Sequence, residues 1–408
     1  MDISTIRALF PSLNASVYGK PFVYLDNAAT YQRPQTVLDC WREMNIDFNA
    51  NIHRAVHHHA VEATSRYEAA RERVRSFINA ETPEEIIFTS GATASINLVA
   101  FSFGEKFIKA GDEIIVSEAE HHSNLVPWQL LCERKGAVLK PLRIENSGHI
   151  LVEELQKTIS QKTKIIAISQ ISNVLGLINP VKEIIAVSHK KGIPVLIDGA
   201  QGVVHGKVDV RDLDCDFYVF SGHKIFAATG TGVLYGKKKW LDVMPPFLSG
   251  GEMIETVKFS GSTFASSPTK FEAGTQNISS VPTLVPALDF ADSMFEDGDV
   301  KAEQRAITEY LLEMFHKEQR LTLYGVPDSP EEKIPLFSFS VEGAHHEDIA
   351  LILDKMGFAV RSGQMCAEPL MDRMGVTGMV RCSFAPYNTL EEAEKFAKAL
   401  NKAIEMLI

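Results

Sequence analysis

Cysteine is scarce. The 408-residue chain holds five, an odd number at wide spacing (Cys40, Cys132, Cys215, Cys366 and Cys382), with no C-x-x-C pair. That excludes a disulfide framework, gives no zinc signature and suits a reducing cytoplasm. No apolar run approaches the roughly 18 residues of a membrane-spanning helix. Met1–Arg7 lacks the basic-then-apolar order of a signal peptide. A soluble, cytoplasmic protein is expected. Basic blocks are missing too: 41 Lys and Arg face 52 Asp and Glu, a net charge of −11. Nucleic acid and membrane are therefore not expected as partners. Internal repeats and low-complexity tracts are absent, as are the G-x-x-x-x-G-K and G-x-G-x-x-G nucleotide signatures.

What is present is ordinary globular composition, 45% hydrophobic and 23% charged, in a chain long enough for two or three domains and a large core. Near-continuous apolar runs at 85–89, 113–117, 164–169, 194–198 and 216–220 predict strands buried on both faces of a mostly parallel sheet. Helical stretches separate them; one, Val181 to Lys191, ends in Lys190-Lys191-Gly192, lysines and then glycine being a helix stop. After Pro286 the texture becomes α+β. A long helix over 288–318, strands over 334–341 and 357–361, and a closing helix over 390–407 are expected. The aperiodic, Gly/Ser/Thr-rich stretch 250–277 reads as a functional loop.

Ligands of such sheets bind beyond the carboxyl ends of the strands, so those ends carry the chemistry. The first is followed by Ser90-Gly91-Ala92-Thr93 and a helix, a place for phosphate or a plain turn. The second ends in Glu120-His121-His122-Ser123-Asn124, whose histidines suit ring stacking or a helix cap and lack further ligands for a metal. His57-His58-His59 reads as a polar helix start. The fourth strand ends at Asp198 and the fifth at Ser221-Gly222-His223-Lys224. A lysine there either snorkels to solvent or is desolvated, and desolvation would lower its pKa and free the amine for a Schiff base. Phosphate cup, stacking histidine, carboxylate and lysine on successive strand ends match the demands of pyridoxal 5'-phosphate.

These motifs resemble the class V aminotransferase group of fold-type I pyridoxal phosphate enzymes. Tyr24-Leu25-Asp26-Asn27-Ala28-Ala29, the run from Glu120 to Trp128, Ser172-Asn173-Val174-Leu175-Gly176, Phe271-Glu272-Ala273-Gly274-Thr275 and Arg361-Ser362-Gly363-x-x-Cys366-Ala367 narrow the resemblance. The narrower group is the Suf-type (group II) cysteine desulfurases, also called selenocysteine lyases. The resemblance implies an α/β fold with a mostly parallel seven-stranded sheet in a large domain over 20–290. The small domain would be 1–19 plus 291–408. It implies Lys224 as the lysine that bonds the cofactor, His121 as stacking residue and proton carrier, Asp198 at the pyridinium nitrogen and Gln201 at the phenolic oxygen. Ala92, Thr93, Ser221 and His223 would line the phosphate site, with Thr275 supplied by a second subunit. Asn173 and Arg381 would hold the substrate carboxylate, and Arg361, beside the Cys366 loop, would be a further substrate-binding residue.

Cys366 would be the nucleophile that takes sulfur from L-cysteine; no metal is implied. A short helix after it and nearby arginines favour the thiolate, whereas Cys382 reads as a buried strand residue. A homodimer, a Suf-type sulfur-acceptor protein and a role in iron–sulfur cluster assembly are implied. The alternative is a selenocysteine lyase or another class V lyase; a non-catalytic scaffold is disfavoured by intact Lys224, Asp198 and His121. The chain departs from the pattern at Gln364-Met365, where two histidines are usual, at Ala227-Ala228 for Gly-Pro, and at Ala92 for threonine.

Overall fold

In the computed structural model, which describes residues 2–408, two sheets organise the chain. The larger has seven strands: β1 (Ile86–Thr89), β2 (Glu113–Ser117), β3 (Val138–Leu142), β4 (Thr163–Ser169), β5 (Val195–Asp198), β6 (Phe217–Ser221) and β7 (Gly232–Gly236). Their order is β1-β7-β6-β5-β4-β2-β3. All neighbours run parallel except β7, which is antiparallel to both β1 and β6. The period-2 alternation of a strand divides each apolar run between two cores. Ile86, Phe88, Ile115, Ile166, Ile197 and Phe220 enter one. Ile87, Ile114, Ala167, Leu196 and Val219 enter the other. Covered on both faces, the sheet has only its edges and strand ends left for chemistry.

The smaller sheet is antiparallel, β8 (Leu321–Tyr324), β9 (Leu336–Val341), β10 (Arg361–Gly363) and β11 (Met379–Ser383), in the order β8-β9-β11-β10. Helices Gly298–Lys317, His346–Lys355 and Leu390–Leu407 pack on it. The last begins with a capping box in which Thr389 and Glu392 satisfy each other's backbone N–H groups. Its Ala393, Phe396, Leu400 and Ile404 bury one stripe. The segment Leu25–Tyr31 runs between the two sheets. Asn27 Nδ2 donates to Ser383 O at 2.6 Å, and Tyr31 N–H donates to His223 O at 3.1 Å.

Several elements differ from expectation. The helix expected over 288–318 is two, Leu284–Glu296 and Gly298–Lys317. Asp297 leaves the helical region between them and caps the second through Asp299 N–H and Val300 N–H. The strand expected over 357–361 divides because its halves pair differently: Phe358–Ala359 with Val23–Tyr24, and Arg361–Gly363 with β11. Stretch 250–277 contains an exposed hairpin, Ile254–Lys258 with Gly261–Phe264. Among the described residues no helix is long and apolar enough to cross a membrane.

Close approach of β7 to the turn after β1 depends on Gly232. A Cβ there would lie 2.3 Å from Gly91 Cα and 2.5 Å from Gly91 N. Backbone cannot move aside as a side-chain tip can, so Gly232→Ala is expected to cost about 1–3 kcal/mol. Thermal unfolding should show a clearly lowered Tm for it and none for Gly206→Ala, where nothing lies within 4 Å of the added Cβ. Equal Tm values would contradict the packing assigned to this turn.

Candidate active site

A cleft of about 280 Å³ opens at the carboxyl ends of β4, β5 and β6. Its walls include Ala92, Thr93, His121, Asn173, Asp198, Gln201, Ser221, His223, Lys224, Arg361, Cys366 and Arg381. The structure thus gathers every residue selected from the sequence except Thr275, which is exposed and outside this cleft.

Ala92 opens a 16-residue helix, and its N–H donates to Ser221 Oγ at 2.8 Å, tying the turn after β1 to the end of β6. Thr93 Oγ1 meets Ser123 Oγ at 2.6 Å. Ser123 N–H in turn donates to His121 Nδ1 at 3.0 Å. One chain of contacts therefore joins the helix start to the histidine turn. Below that turn the buried Glu120 accepts from Ser117 Oγ at 2.6 Å, Asn124 Nδ2 at 2.7 Å and Ser169 N–H at 3.0 Å. Burial pushes the Glu120 carboxyl up to about 7 despite these donors.

Asp198 ends β5 and Lys224 follows β6 through a short 3-10 turn, so the parallel pairing of these strands sets the two side by side. Desolvation lowers the Lys224 ammonium to about 8, with Asp198 opposing the shift. Desolvation likewise raises the Asp198 carboxyl, while Ala200 N–H, donating to Oδ1 at 3.0 Å, and Lys224 pull it back. Burial, with Lys224 close by, holds both His121 and His223 down at about 4. These imidazoles are neutral at pH 7. With Nδ1 accepting from Ser123, the His121 ring carries its proton on Nε2.

The opposite wall belongs to the smaller sheet. Arg381 on β11 is buried; its Nη2 donates to Asp26 Oδ1 at 3.0 Å and its Nη1 to Asn173 O at 2.8 Å. Its Nε has no hydrogen-bond partner. Arg361 is half exposed at the mouth. Asn173 is engaged, Nδ2 donating to Met365 O at 2.9 Å, so it anchors the cysteine loop in addition to lining the cleft. Cys366 is exposed, whereas Cys132, Cys215 and Cys382 are buried. Met365 and Cys366 both have left-handed backbone, φ 54° and 55°, unusual for side-chain-bearing residues. Asp26, Ser123 and Glu120 received no role from the sequence. Their signal lay in the quoted motifs, but spacing alone does not show what an irregular loop touches.

The expected cofactor passes a test of donor chemistry. Gln201 Oε1 is buried without a partner while Nε2 donates to Ala28 O at 2.8 Å. A ring hydroxyl in the cleft would satisfy that orphan. The helix start with Thr93 and Ser221 suits phosphate, and Asp198 suits a protonated ring nitrogen.

The profile of the aminotransferase class V family matches residues 23–396. The chain is 43% identical over 407 residues to a probable cysteine desulfurase of Vibrio cholerae, covering 100% of both chains. It is 45% identical over 405 residues to one of Halalkalibacterium halodurans, covering 99% of this chain and 98% of that one. Among solved structures, the cysteine desulfurase CsdA of Escherichia coli in an S-sulfonic acid form superposes with a TM-score of 0.91 at 38% identity, with full coverage of both chains. The apo cysteine desulfurase of Thermococcus onnurineus gives 0.89 at 35% identity, covering 98% of each.

The lowered Lys224 pKa has a direct consequence, because only the neutral amine attacks an aldehyde. In cofactor-free protein, the rate of reaction with pyridoxal phosphate should rise about tenfold per pH unit at low pH and level off above about 8. Stopped-flow absorbance over pH 6–10 measures it. A rate still climbing at pH 10 would mean that Lys224 is not desolvated.

Proposed function

This chain belongs to the class V aminotransferase family, and from that premise we propose that it is a pyridoxal-phosphate-dependent L-cysteine desulfurase. It converts L-cysteine to L-alanine and leaves the sulfur as a persulfide on Cys366. The observation that carries the reading is the meeting, in one cleft, of a desolvated lysine, a carboxylate on the neighbouring strand and an exposed cysteine. Lys224, Asp198, Gln201, His121, Thr93, Ser221 and His223, with the backbone at Ala92, would hold the cofactor. Once bound, it serves as an electron sink for the substrate carbons.

The chain's own groups do the rest. Arg381, with an unpartnered Nε, and Arg361 at the mouth receive the substrate carboxylate. Asn173 orients that site through the cysteine loop. Lys224 Nζ accepts the α-proton, and His121 Nε2 passes a proton near the substrate sulfur. Cys366 Sγ, as thiolate, attacks that sulfur. An S–S bond forms and the substrate C–S bond breaks. Its electron pair stays with the β-carbon, which gains a proton and becomes the methyl group of alanine. Substrate and enzyme thiol supply every atom of alanine and persulfide, so no external oxidant is needed.

In this reading residues 20–290 form the cofactor domain, and 1–19 with 291–408 the small domain that carries the cysteine loop. The working form is a homodimer. Thr275 is exposed and outside its own cleft, free to complete the phosphate site of a second copy. The exposed position of Cys366 suits transfer to a Suf-type acceptor for iron–sulfur cluster assembly in the cytoplasm. The alternative reading of the same cleft is a selenocysteine lyase, acting on L-selenocysteine in place of L-cysteine, or another class V lyase.

Cys366→Ser is expected to keep cofactor absorbance and the spectral response to cysteine but to lose at least about 10³-fold in alanine formation. Mass spectrometry of wild-type protein after brief exposure to cysteine should place the sulfur adduct on the Cys366 peptide. Wild-type turnover in Cys366→Ser, or an adduct on another cysteine, would refute the assignment.

Asp198→Ala should lower turnover more than Gln201→Ala. The carboxylate keeps the ring nitrogen protonated, whereas the amide only tunes the phenolic oxygen. Steady-state rates with saturating cofactor decide this, and equal losses would count against both roles.

A further inference from the structure

The helix that follows the cysteine loop, Glu368–Met374, lacks a cap of its own. Its N-cap residue is Ala367, which has no side-chain acceptor. Backbone donors in its first turn can be accounted for one by one. Pro369 has no N–H, and Leu370 and Met371 donate to Ala367 O at 3.0 and 3.2 Å. Glu368 N–H remains, and it donates to His122 Nε2 at 3.1 Å, 246 residues away in sequence. The same histidine's backbone N–H donates to Cys366 O at 2.7 Å. His122 therefore grips the loop on both sides of Ala367, and it belongs to the turn that carries His121.

We propose that His122 is a positioning residue for Cys366: its imidazole caps, across the fold, the helix that the cysteine loop runs into. The inference rests on the reading of Cys366 as the sulfur-accepting nucleophile. Accepting from Glu368 requires Nε2 without a proton, so the ring is the neutral tautomer protonated on Nδ1. Two consecutive left-handed residues make the loop costly to hold. Without the ring it would populate other conformations, and Cys366 Sγ would spend less time within reach of substrate sulfur. Substrate binding by Arg381 and Arg361 does not involve His122. The effect should therefore fall on kcat and spare KM.

The substitutions follow from the geometry. Leucine at 122 fills similar volume without an acceptor, whereas the glutamine Oε1 lies about where Nε2 was. The backbone bond to Cys366 O survives in both. In single-turnover mass spectrometry on cofactor-loaded enzyme, persulfide formation at Cys366 should slow about tenfold in His122→Leu, the scale of a lost helix cap. It should stay within about threefold of wild type in His122→Gln, with KM for cysteine within about twofold in both. Hydrogen exchange of the peptide spanning 366–371, read with and without cofactor, should quicken in His122→Leu only. Wild-type persulfide rates and exchange in His122→Leu would overturn the positioning role. So would an equal loss in His122→Gln. If His122→Leu fails to retain cofactor, His122→Asn, whose acceptor is too short to reach Glu368, takes its place with the same expected loss. Absence of any Cys366 adduct in wild-type enzyme would instead sink the desulfurase reading, whatever the variants do.

Discussion

Burying an amine among strand ends penalises its charged form, and in this protein the penalty falls on Lys224. Asp198, one strand over, offsets part of it, and the parallel register of β5 and β6 makes that possible by bringing both carboxyl ends to one edge. The neighbours are set by the same desolvation. His121 and His223 stay neutral, and Glu120 beneath them is pushed up to about 7. The cleft is thus poor in fixed charge on the cofactor side, apart from the lysine–carboxylate couple. Neutral His121 presents its Nε2 proton to the cleft, and Lys224, brought down to about 8, needs to lose its proton only slightly above neutrality to act as a base, so one environment prepares both groups for the proton transfers that the chemistry requires.

Much of this was legible because apolar runs and strand ends are local signals. Five of the seven large-sheet strands are compact β-branched or aromatic runs. The two that escaped have reasons. In β3, Val138–Leu142, Lys140 and Pro141 interrupt the run, and as the edge strand it need not be apolar throughout. In β7, Gly232–Gly236, three apolar residues between two glycines carry too little periodicity, although both faces are buried. The hairpin at 254–264 is exposed along both strands, so no core imposed an alternation that could be read. At the site, Lys224, Asp198 and His121 followed from strand ends, whereas Asn173, Arg361 and Arg381 followed only from resemblance to a family. The engagement of Asn173 by Met365 O and of Arg381 by Asp26 came from neither. Such pairs join segments about 190 and 355 residues apart, and no periodicity encodes that.

The cleft is a junction of two scaffolds. Lysine, aspartate and histidine stand on the parallel sheet, whose buried strands fix them. Cys366 and both arginines come from the antiparallel sheet, through β10 and β11. What registers one against the other is two groups of bonds: around Leu25–Tyr31, Asn27 to Ser383, Arg381 to Asp26 and Tyr31 to His223, and at the cysteine loop, Asn173 to Met365 O and Arg381, and His122 to Cys366 O and Glu368 N–H. The buried charge-assisted bond of Arg381 is worth roughly 1.5–3 kcal/mol. Its loss would leave a buried guanidinium short of partners. Motif residues near the chain start, which touch no reacting atom, thereby share with His122 and Asn173 in setting the distance between the sulfur-accepting thiol and the lysine.

Gln364-Met365 acquires a physical account from the same geometry. Two left-handed residues in succession cost on the order of 1–3 kcal/mol each, and the loop that bears Cys366 has to recover that cost locally. Met365 is only 6% exposed, and burying such a side chain contributes about 1.5–3 kcal/mol. Its carbonyl takes the Asn173 bond, and Gln364 O accepts from Ala367 N–H at 3.0 Å. Methionine, flexible and polarizable, fits an irregular wall without needing a hydrogen-bond partner. A histidine there would present ring nitrogens and a titratable charge beside the thiol. With methionine in place, Arg361 and Arg381 remain the positive side chains on the small-sheet wall of the cleft. Met365 therefore anchors the loop by burial while the residue after it faces solvent, and the two adjoining positions divide stability and reactivity between them.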